Sequence, residues 1–587
     1  MVRRLPRKDV VIVGLGWTGS ILAYELSRTG LEVVAIERGP WRDTATDFNI
    51  GTAPDELRYA VRHDIFLRPK QETLTMRNNP SQTALPIRKW GSFLPGNGVG
   101  GAGVHWNGQT WRFLPDDFRI RSHMLERYGE GIFPENHHIQ DWPVSYDELE
   151  PYYDKFEYLA GIAGKAGNLR GKIQPGGNPF EGSRSREYPS PPQKQSYAMA
   201  VFNEAVNKLG YHPFPQPSAN SSQPYTNPEG MQLGLCVYCG YCERFACEMG
   251  AKASMQVTLL PKLRKSPLFE LRTNSKVLKI NLDSTKKKAV SVTYLDAQGR
   301  EQVQPAEMIF VTAFVFNNVH MLLVSEIGKP YDPVTNTGVV GKNFAYQTGT
   351  SATLFFDSGK VFNLFMGSGA LGTVIDDFNG DNFDHGRYGF IGGADINQNT
   401  NGARPVQFHP VPPGTPRWGG RWKKAVAHYY NRTFGINAQG GVQAYRGNYL
   451  DLDPTYTDIY GQPLLRMTFD WGPHEHKQSA FMAGINAKIA DATGASRTIV
   501  SRLAPHFDVV PYQSTHVTGG AIMGSEPLQS VTNKYGQSWD VSSVFVTGAS
   551  SFPQNAGYNP TGTVGALAYH TADAVLKKYV KNPGPLA

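Results

Sequence analysis

The chain has 587 residues, 40% of them hydrophobic and 12% aromatic, with 62 glycines and 41 prolines, which suits a large globular enzyme with many ordered loops and not a disordered chain. Its formal charge of +8 comes from scattered lysines and arginines, with one small cluster at Arg3, Arg4, Arg7 and Lys8, so no basic run tracks a phosphate backbone and no nucleic-acid partner is expected. No stretch approaches the roughly 20 apolar residues that span a bilayer, and no apolar export segment follows Arg3-Arg4, so no signal peptide is expected on this chain.

The chain opens as strand, glycine-rich turn, helix and strand. The run Asp9–Val13 leads into Gly14-Leu15-Gly16-Trp17-Thr18-Gly19; Ile21, Leu22 and Leu26 share one helical face, Gly30 stops the helix, and Leu31–Ile36 alternates as a second strand. The G-x-G-x-x-G of Gly14, Gly16 and Gly19 lets backbone turn tightly and approach a pyrophosphate, whose charge meets the positive end of the helix. Glu37, at the end of the second strand, is placed to accept hydrogen bonds from the ribose hydroxyls of an adenosine. NAD and FAD fit this motif equally.

The run Gly96–Gly108, which contains Gly98, Gly100, Gly101, His105 and Asn107, lets backbone lie flat against a large planar ligand. A polar helical stretch follows at Asp147–Tyr158. Residues 164–222 are rich in Gly, Pro, Ser and Asn and read as a long surface excursion with one helix near Ala198–Leu209. At its end stand all four cysteines, within twelve positions: Cys236-x2-Cys239-x2-Cys242-x4-Cys247. Closely spaced thiolates on one tight loop suit an iron–sulfur cluster. Zinc also accepts four thiolates, although its structural sites draw on two separated pairs, and two disulfides on so small a loop are strained.

Residues 268–312 alternate in the manner of sheet and close on Met308–Val311. The region 345–500 has strand-like pieces such as Ser351–Phe356 and Leu464–Phe469, carries no nucleotide motif, and reads as the substrate domain. Thr515-His516-Val517-Thr518-Gly519-Gly520 follows. A last strand, Val544–Val546, passes through Thr547-Gly548-Ala549 to a helix running from Pro560-Thr561 to about Lys578. Pro560 suits the first helical position and Asn559 the N-cap, which aims the helix dipole at whatever lies before it. His137, His138, His474 and His476 lack such context and are expected to be packing or surface residues.

The first turn, the glycine-rich run with His105-Trp106, and His516 followed by Gly557-Tyr558-Asn559-Pro560 together resemble the glucose-methanol-choline oxidoreductases, over nearly the whole chain. The resemblance implies FAD, with Gly14, Gly16, Gly19, Glu37, Gly98, Gly100, Gly101, Asn107, Gly548, Ala549 and Thr561 around it and His105 as a covalent attachment point on the flavin 8-methyl group. It implies His516 as the base that takes the hydroxyl proton and Asn559 as the group that holds the alcohol oxygen. Trp111-Arg112-Phe113, the stretch Tyr146–Tyr153 and Gly338–Asn343, with the cysteines, are similar to a membrane-associated subgroup, above all its gluconate 2-dehydrogenase branch; sorbitol, 2-ketogluconate and fructose dehydrogenases also belong there. That subgroup implies an iron–sulfur cluster on Cys236, Cys239, Cys242 and Cys247, of a 3Fe-4S type that needs only three of them. It also implies a small subunit bearing the export signal, a multihaem cytochrome c anchored in the membrane, and a place on the periplasmic face of the cytoplasmic membrane. Two departures stand out. Ala313-Phe314 replaces the family's Ala-Gly pair, so the backbone approach to the cofactor is expected to differ there. The last cysteine spacing is x4 where ferredoxins have x3, and Glu248 stands in place of a proline.

The expected architecture is α/β. A Rossmann-like FAD-binding domain (1–163, 256–344 and 501–587, the last with the catalytic residues) is interleaved with an α+β substrate domain on an antiparallel sheet (345–500) and with the excursion and cysteine cluster (164–255). The expected activity is oxidation of a hydroxyl of a sugar, sugar acid or polyol, of gluconate 2-dehydrogenase type, with electrons passing through the cluster to a cytochrome. The competing readings are an oxygen-using oxidase with a structural cysteine site and an inactive electron-transfer or assembly subunit.

Overall fold

A computed structural model of the chain describes residues 2–48, 65–402 and 408–586. Strand β1 (Lys8–Val13) buries Val10 to Val13 without alternation, as a parallel strand covered on both faces must. The chain turns into helix α1 (Trp17–Ser27) and returns as β2 (Val33–Ile36), parallel to β1 with Val10 opposite Val33. Strand β3 (Phe269–Arg272) lies parallel beside β2, β4 (Glu301–Val311) beside β1, and Val544–Val546 beside β4. Strands drawn from both ends of the chain and from its middle therefore meet in one sheet. The first half of β4 leaves it to pair antiparallel with Ala289–Leu295.

Two helices back this sheet. Helix α2 (Tyr146–Ala160) starts on Ser145, whose hydroxyl accepts from Glu148 N, with Asp147 and Glu148 in the first turn where the dipole favours anions. Helix α3 (Thr561–Ala574) is buried along most of its length and packs on both α1 and α2. The expected N-cap is displaced by one residue: Pro560 occupies it, and the Asn559 side chain makes no capping bond.

The second sheet is antiparallel and six-stranded, in the order Arg497–Ser501, β5 (Gln347–Phe355), β7 (Thr433–Gly441), β6 (Ala394–Asn399), Gly372–Ile375 and Phe214–Pro215. Along β7 the period of two divides the strand: Phe434, Ile436 and Ala438 join Met482 and Ile489 in an apolar core, while Gly435, Asn437 and Gln439 line a cavity. The antiparallel sheet expected for 345–500 is present, but its edge strand, Phe214–Pro215, comes from the segment expected to run over the surface. That segment is packed into the body: Arg184, Phe202, Ser218, Ala219 and Lys252 are all buried. Gly, Pro, Ser and Asn signal irregular backbone, and irregular backbone is buried where its polar groups find partners, as Ala163 and Ser218 do by exchanging two N–H to O bonds of 2.7 and 2.8 Å.

One ion cluster pins these parts together. Arg112 donates through Nε and Nη2 to both oxygens of Glu157 (2.9 and 2.8 Å) and through Nη1 to Glu150 (2.9 Å), while the buried Arg184 donates to the same Glu157 from the opposite side. Burial alone would raise the Glu157 pKa; the two guanidiniums more than reverse this and leave it lowered. Glu157→Gln takes from two buried guanidiniums the carboxylate they share, and the expected loss is about 3–5 kcal/mol, read as a clearly lowered midpoint in thermal or urea unfolding. An unchanged midpoint would show that the cluster contributes no stability.

Candidate active site

A cavity of about 600 Å³ has the first turn, the glycine-rich run and the second sheet in its wall. Gly14, with φ +88°, passes so close to the end of β4 that a Cβ would stand 2.9 Å from Ala313 Cα, and Thr312 Oγ1 donates to Gly14 O at 2.8 Å. A Cβ on Gly19 would meet Gly14 O at 2.2 Å. At Gly16 the nearest atom is Gly100 O at 3.9 Å, and the residue faces the cavity. The first and third glycines thus serve backbone packing, and the second leaves open the space that a pyrophosphate needs. The Glu37 carboxylate accepts from Leu15 N (3.0 Å) and Gly39 N (2.9 Å); burial pushes its pKa up and these two N–H groups pull against that. Glu37 borders the cavity, so the turn fits the adenosine and pyrophosphate of a dinucleotide.

A carboxylate that the sequence did not mark shares this end of the cavity. Glu72 accepts from Arg38 (2.6 Å), Lys276 (3.1 Å) and Asn317 (2.6 Å). Burial would raise its pKa, but the two cations hold it well below the usual carboxylate range.

The glycine-rich run lies over the turn, with Gly100 N donating to Leu15 O (2.8 Å) and Val99 N to Pro40 O (2.9 Å). Gly98 (φ +114°) leaves no room for a Cβ beside Pro40 O at 2.8 Å, and neither Gly98 nor Gly100 borders the cavity. Their lack of a side chain permits close packing, of Gly98 against Pro40 O and of Gly100 against the Val104 and Gln256 side chains. Gly101 does line the cavity, and Gly101–Val104 forms a 3-10 turn that ends on His105. The His105 ring is buried in the cavity wall, edge-on to Phe66 at 4.6 Å between centroids. Asn107, Gly548, Ala549 and Thr561 complete this part of the wall.

Phe314 takes φ +77°, rare for a bulky residue. The chain adopts a conformation suited to glycine at this position and places the aromatic ring in the cavity wall, edge-on to Phe316.

His516 and Asn559 meet across the cavity, with Asn559 Nδ2 3.1 Å from His516 Nε2. On the other side of the imidazole, Nδ1 lies 2.5 Å from Gln347 Oε1. Gln347 Nε2 donates to Ala556 O (2.8 Å) and Tyr558 O (2.7 Å), so the oxygen of this amide must face the histidine and Nδ1 must carry the proton. Nε2 is then the acceptor. Burial lowers the His516 pKa to about 4, and Glu243 opposes this weakly. Gln439 donates to Asn559 Oδ1 (3.2 Å), and Asn555 Nδ2 donates to His516 O (2.8 Å). These amides carry no sequence signal, since their role depends on which strands are neighbours. His137 stacks on Phe133 and His138 bonds Asn343, in keeping with packing.

Cys236 and Cys242 are buried, Cys239 and Cys247 half-buried, and none of the four is joined in a disulfide. Burial first, then the neighbouring Cys247 and Cys239, pushes the Cys236 thiol up to about 11. Among the described residues no three His, Cys, Asp or Glu side chains converge as on a single metal ion. Between Cys242 and Cys247, Glu243 and Arg244 reach the cavity wall, and Arg244 lies 3.9 Å over the Tyr512 ring.

Family models described as GMC oxidoreductase match residues 135–348 and 444–568. The chain is 50% identical to the gluconate 2-dehydrogenase flavoprotein of Pantoea cypripedii, over 100% of this chain and 96% of that one, and 27% identical to the fructose dehydrogenase large subunit of Gluconobacter japonicus, over 97% of each. A crystal structure of pyridoxine 4-oxidase from Mesorbium loti superposes with a TM-score of 0.57 at 15% identity, over 96% of this chain and 98% of that one, and so shares the fold. With a match over more than half its length and a half-identical relative along all of it, the chain belongs to the GMC oxidoreductase family.

Proposed function

We propose that this chain is the flavoprotein of a dehydrogenase that oxidises a secondary hydroxyl of a sugar acid, gluconate 2-dehydrogenase in type. The observation that carries the reading is the neutral, oriented His516 beside Asn559 inside the cavity, in a chain half identical to a gluconate 2-dehydrogenase flavoprotein. Bound along the glycine turn and the His105 run, FAD would supply the two-electron hydride acceptor. The chain's own residues do the rest. Gln347 holds the imidazole so that the Nε2 lone pair points at the substrate hydroxyl and takes its proton, and Asn559 Nδ2 donates to the oxygen on which charge develops. The end of α3, preceded by Asn559, adds a positive field there. Neutral amides also line the cavity: Asn399 donates to Asn397 (2.7 Å) and Asn397 to the buried Asp395 (2.9 Å). Such a wall offers paired donors and acceptors to successive hydroxyls of a polyol chain.

His105 is the residue we assign to covalent attachment of the flavin, from its burial in the cavity wall within the glycine-rich run. Cys236, Cys239, Cys242 and Cys247 are the residues that would hold an iron–sulfur cluster, which supplies a one-electron relay. Four thiols on one loop, outside any disulfide and near enough to act electrostatically on one another, suit such a centre, and thiolates on separate irons stand farther apart than ligands of a single ion. The outward partners of this reading are a small subunit with an export signal and a multihaem cytochrome c on the periplasmic face of the membrane. Its support is that one relative is named as a large subunit; no helix among the described residues is long and apolar enough to cross a membrane.

His516→Ala is expected to lower kcat by about 10²–10⁴-fold with FAD content unchanged; a variant with full activity would remove His516 as the base. Because the His516 pKa is lowered to about 4, the base is neutral above that pH, and activity is lost only as pH falls through it. The acid limb of kcat/KM should therefore lie well below the ordinary histidine value of about 6.5, and Gln347→Glu, which puts a carboxylate beside Nδ1, should move it upward. A wild-type limb near the ordinary value would count against this assignment. Acid precipitation of the purified protein tests the cofactors: a yellow pellet that turns white in His105→Ala is expected, together with iron and acid-labile sulfide. Rapid peroxide formation in air without reduction of cytochrome c would favour an oxidase.

A further inference from the structure

Behind the cavity wall a lysine is sealed between the His105 run and the cysteine loop. Lys252 is 1% exposed, and its ammonium donates to three backbone carbonyls, Trp106 O at 2.6 Å, Phe245 O at 2.7 Å and Cys242 O at 2.8 Å. Those bonds use all three donors, and none goes to a carboxylate. Carbonyl dipoles satisfy the hydrogen bonds but do not cancel the charge, and an ammonium removed from water is strongly disfavoured without a compensating anion. Burial pushes the Lys252 pKa down, and the acidic groups that oppose this are the thiols of Cys242, Cys247 and Cys239 and the carboxylate of Glu243. The carbonyls also belong to two different segments, since Trp106 follows His105 while Cys242 and Phe245 lie in the cysteine loop. Asn220, which pairs with Lys252 in an isolated bridge, makes a parallel tie: its Nδ2 donates to Asn107 O (3.3 Å) and lies 4.0 Å from Cys242 Sγ.

We propose that Lys252 is the buried counter-charge of an anionic iron–sulfur centre on the cysteine loop and, through Trp106, the tie that fixes that loop against the His105 run. The inference rests on the cluster reading above. One-electron reduction adds one negative charge to such a centre, without making or breaking a bond in the chain. A fixed ammonium beside it stabilises the reduced form more than the oxidised one, and so raises the reduction potential. Lys252 touches neither substrate nor reacting atoms; it is a positioning residue.

The test is an EPR-monitored redox titration of the holoenzyme carrying Lys252→Met. One-electron reduction of the centre should become about tenfold less favourable, a fall of about 59 mV, with flavin content unchanged. Lys252→Gln, which still donates to the carbonyls but carries no charge, should show the same fall and serves if the methionine variant does not fold. Loss of iron and sulfide from the neutral variants, with flavin retained and the fold intact, also supports the proposal, since the charge is then required to hold the centre. An unshifted potential in a folded neutral variant overturns it. Absence of iron and sulfide from the wild-type holoenzyme is a separate result: it removes the cluster reading itself and this inference with it.

Discussion

Where Gly14 passes the end of β4, the two backbones come closer than any side chain would permit, and the Thr312 hydroxyl closes the contact by donating to Gly14 O. The cofactor end of the cavity depends on this approach. It sets the tips of β1 and β4 side by side, turns the open face of Gly16 to the cavity, and leaves Leu15 where Glu37 and Gly100 can both bond its backbone. Just beyond this contact Phe314 holds a positive φ, a conformation rare for a bulky residue.

The reacting end is built on a different principle. His516 and Asn559 come from separate segments, yet one short stretch organises both. Asn555 holds the His516 carbonyl, and the carbonyls of Ala556 and Tyr558 turn the Gln347 amide so that its oxygen meets Nδ1. Asn559 follows directly and faces Nε2. The tautomer of His516 and the position of Asn559 are therefore set by the same few residues. The burial that lowers the histidine pKa also keeps Nε2 unprotonated at neutral pH.

Charge is buried in two ways in this protein. Around Glu157 it is matched within the chain, by Arg112 and Arg184, and the result is a scaffold contact joining the run after His105, helix α2 and the segment 164–255. At Lys252 the hydrogen bonds are satisfied by carbonyls alone, which sets this lysine apart from the ion-paired arginines and places it between the two regions that handle electrons in the proposed reaction.

Local chemistry was legible in the sequence. The first turn, the glycine-rich run, the cysteine cluster and the C-terminal histidine and asparagine each announce themselves by residue type and spacing, because backbone conformation and thiol chemistry depend on near neighbours. Strand-like pieces such as Ser351–Phe356 likewise pointed to sheet within 345–500. What the spacing of residues could not supply was any role that arises between distant strands. Gln347, Gln439 and Asn555 are ordinary amides until β5 and β7 are brought together; Glu72 gathers Arg38, Lys276 and Asn317 from separate segments; and the close packing around Gly98 and Gly100 is set by residues outside their own run, Pro40 and Gln256 among them. The sequence by itself determined which chemistry the chain carries. Only the tertiary structure decided which atom of His516 is basic and which partner each buried charge meets, because hydrogen-bond direction and desolvation are properties of neighbours in space.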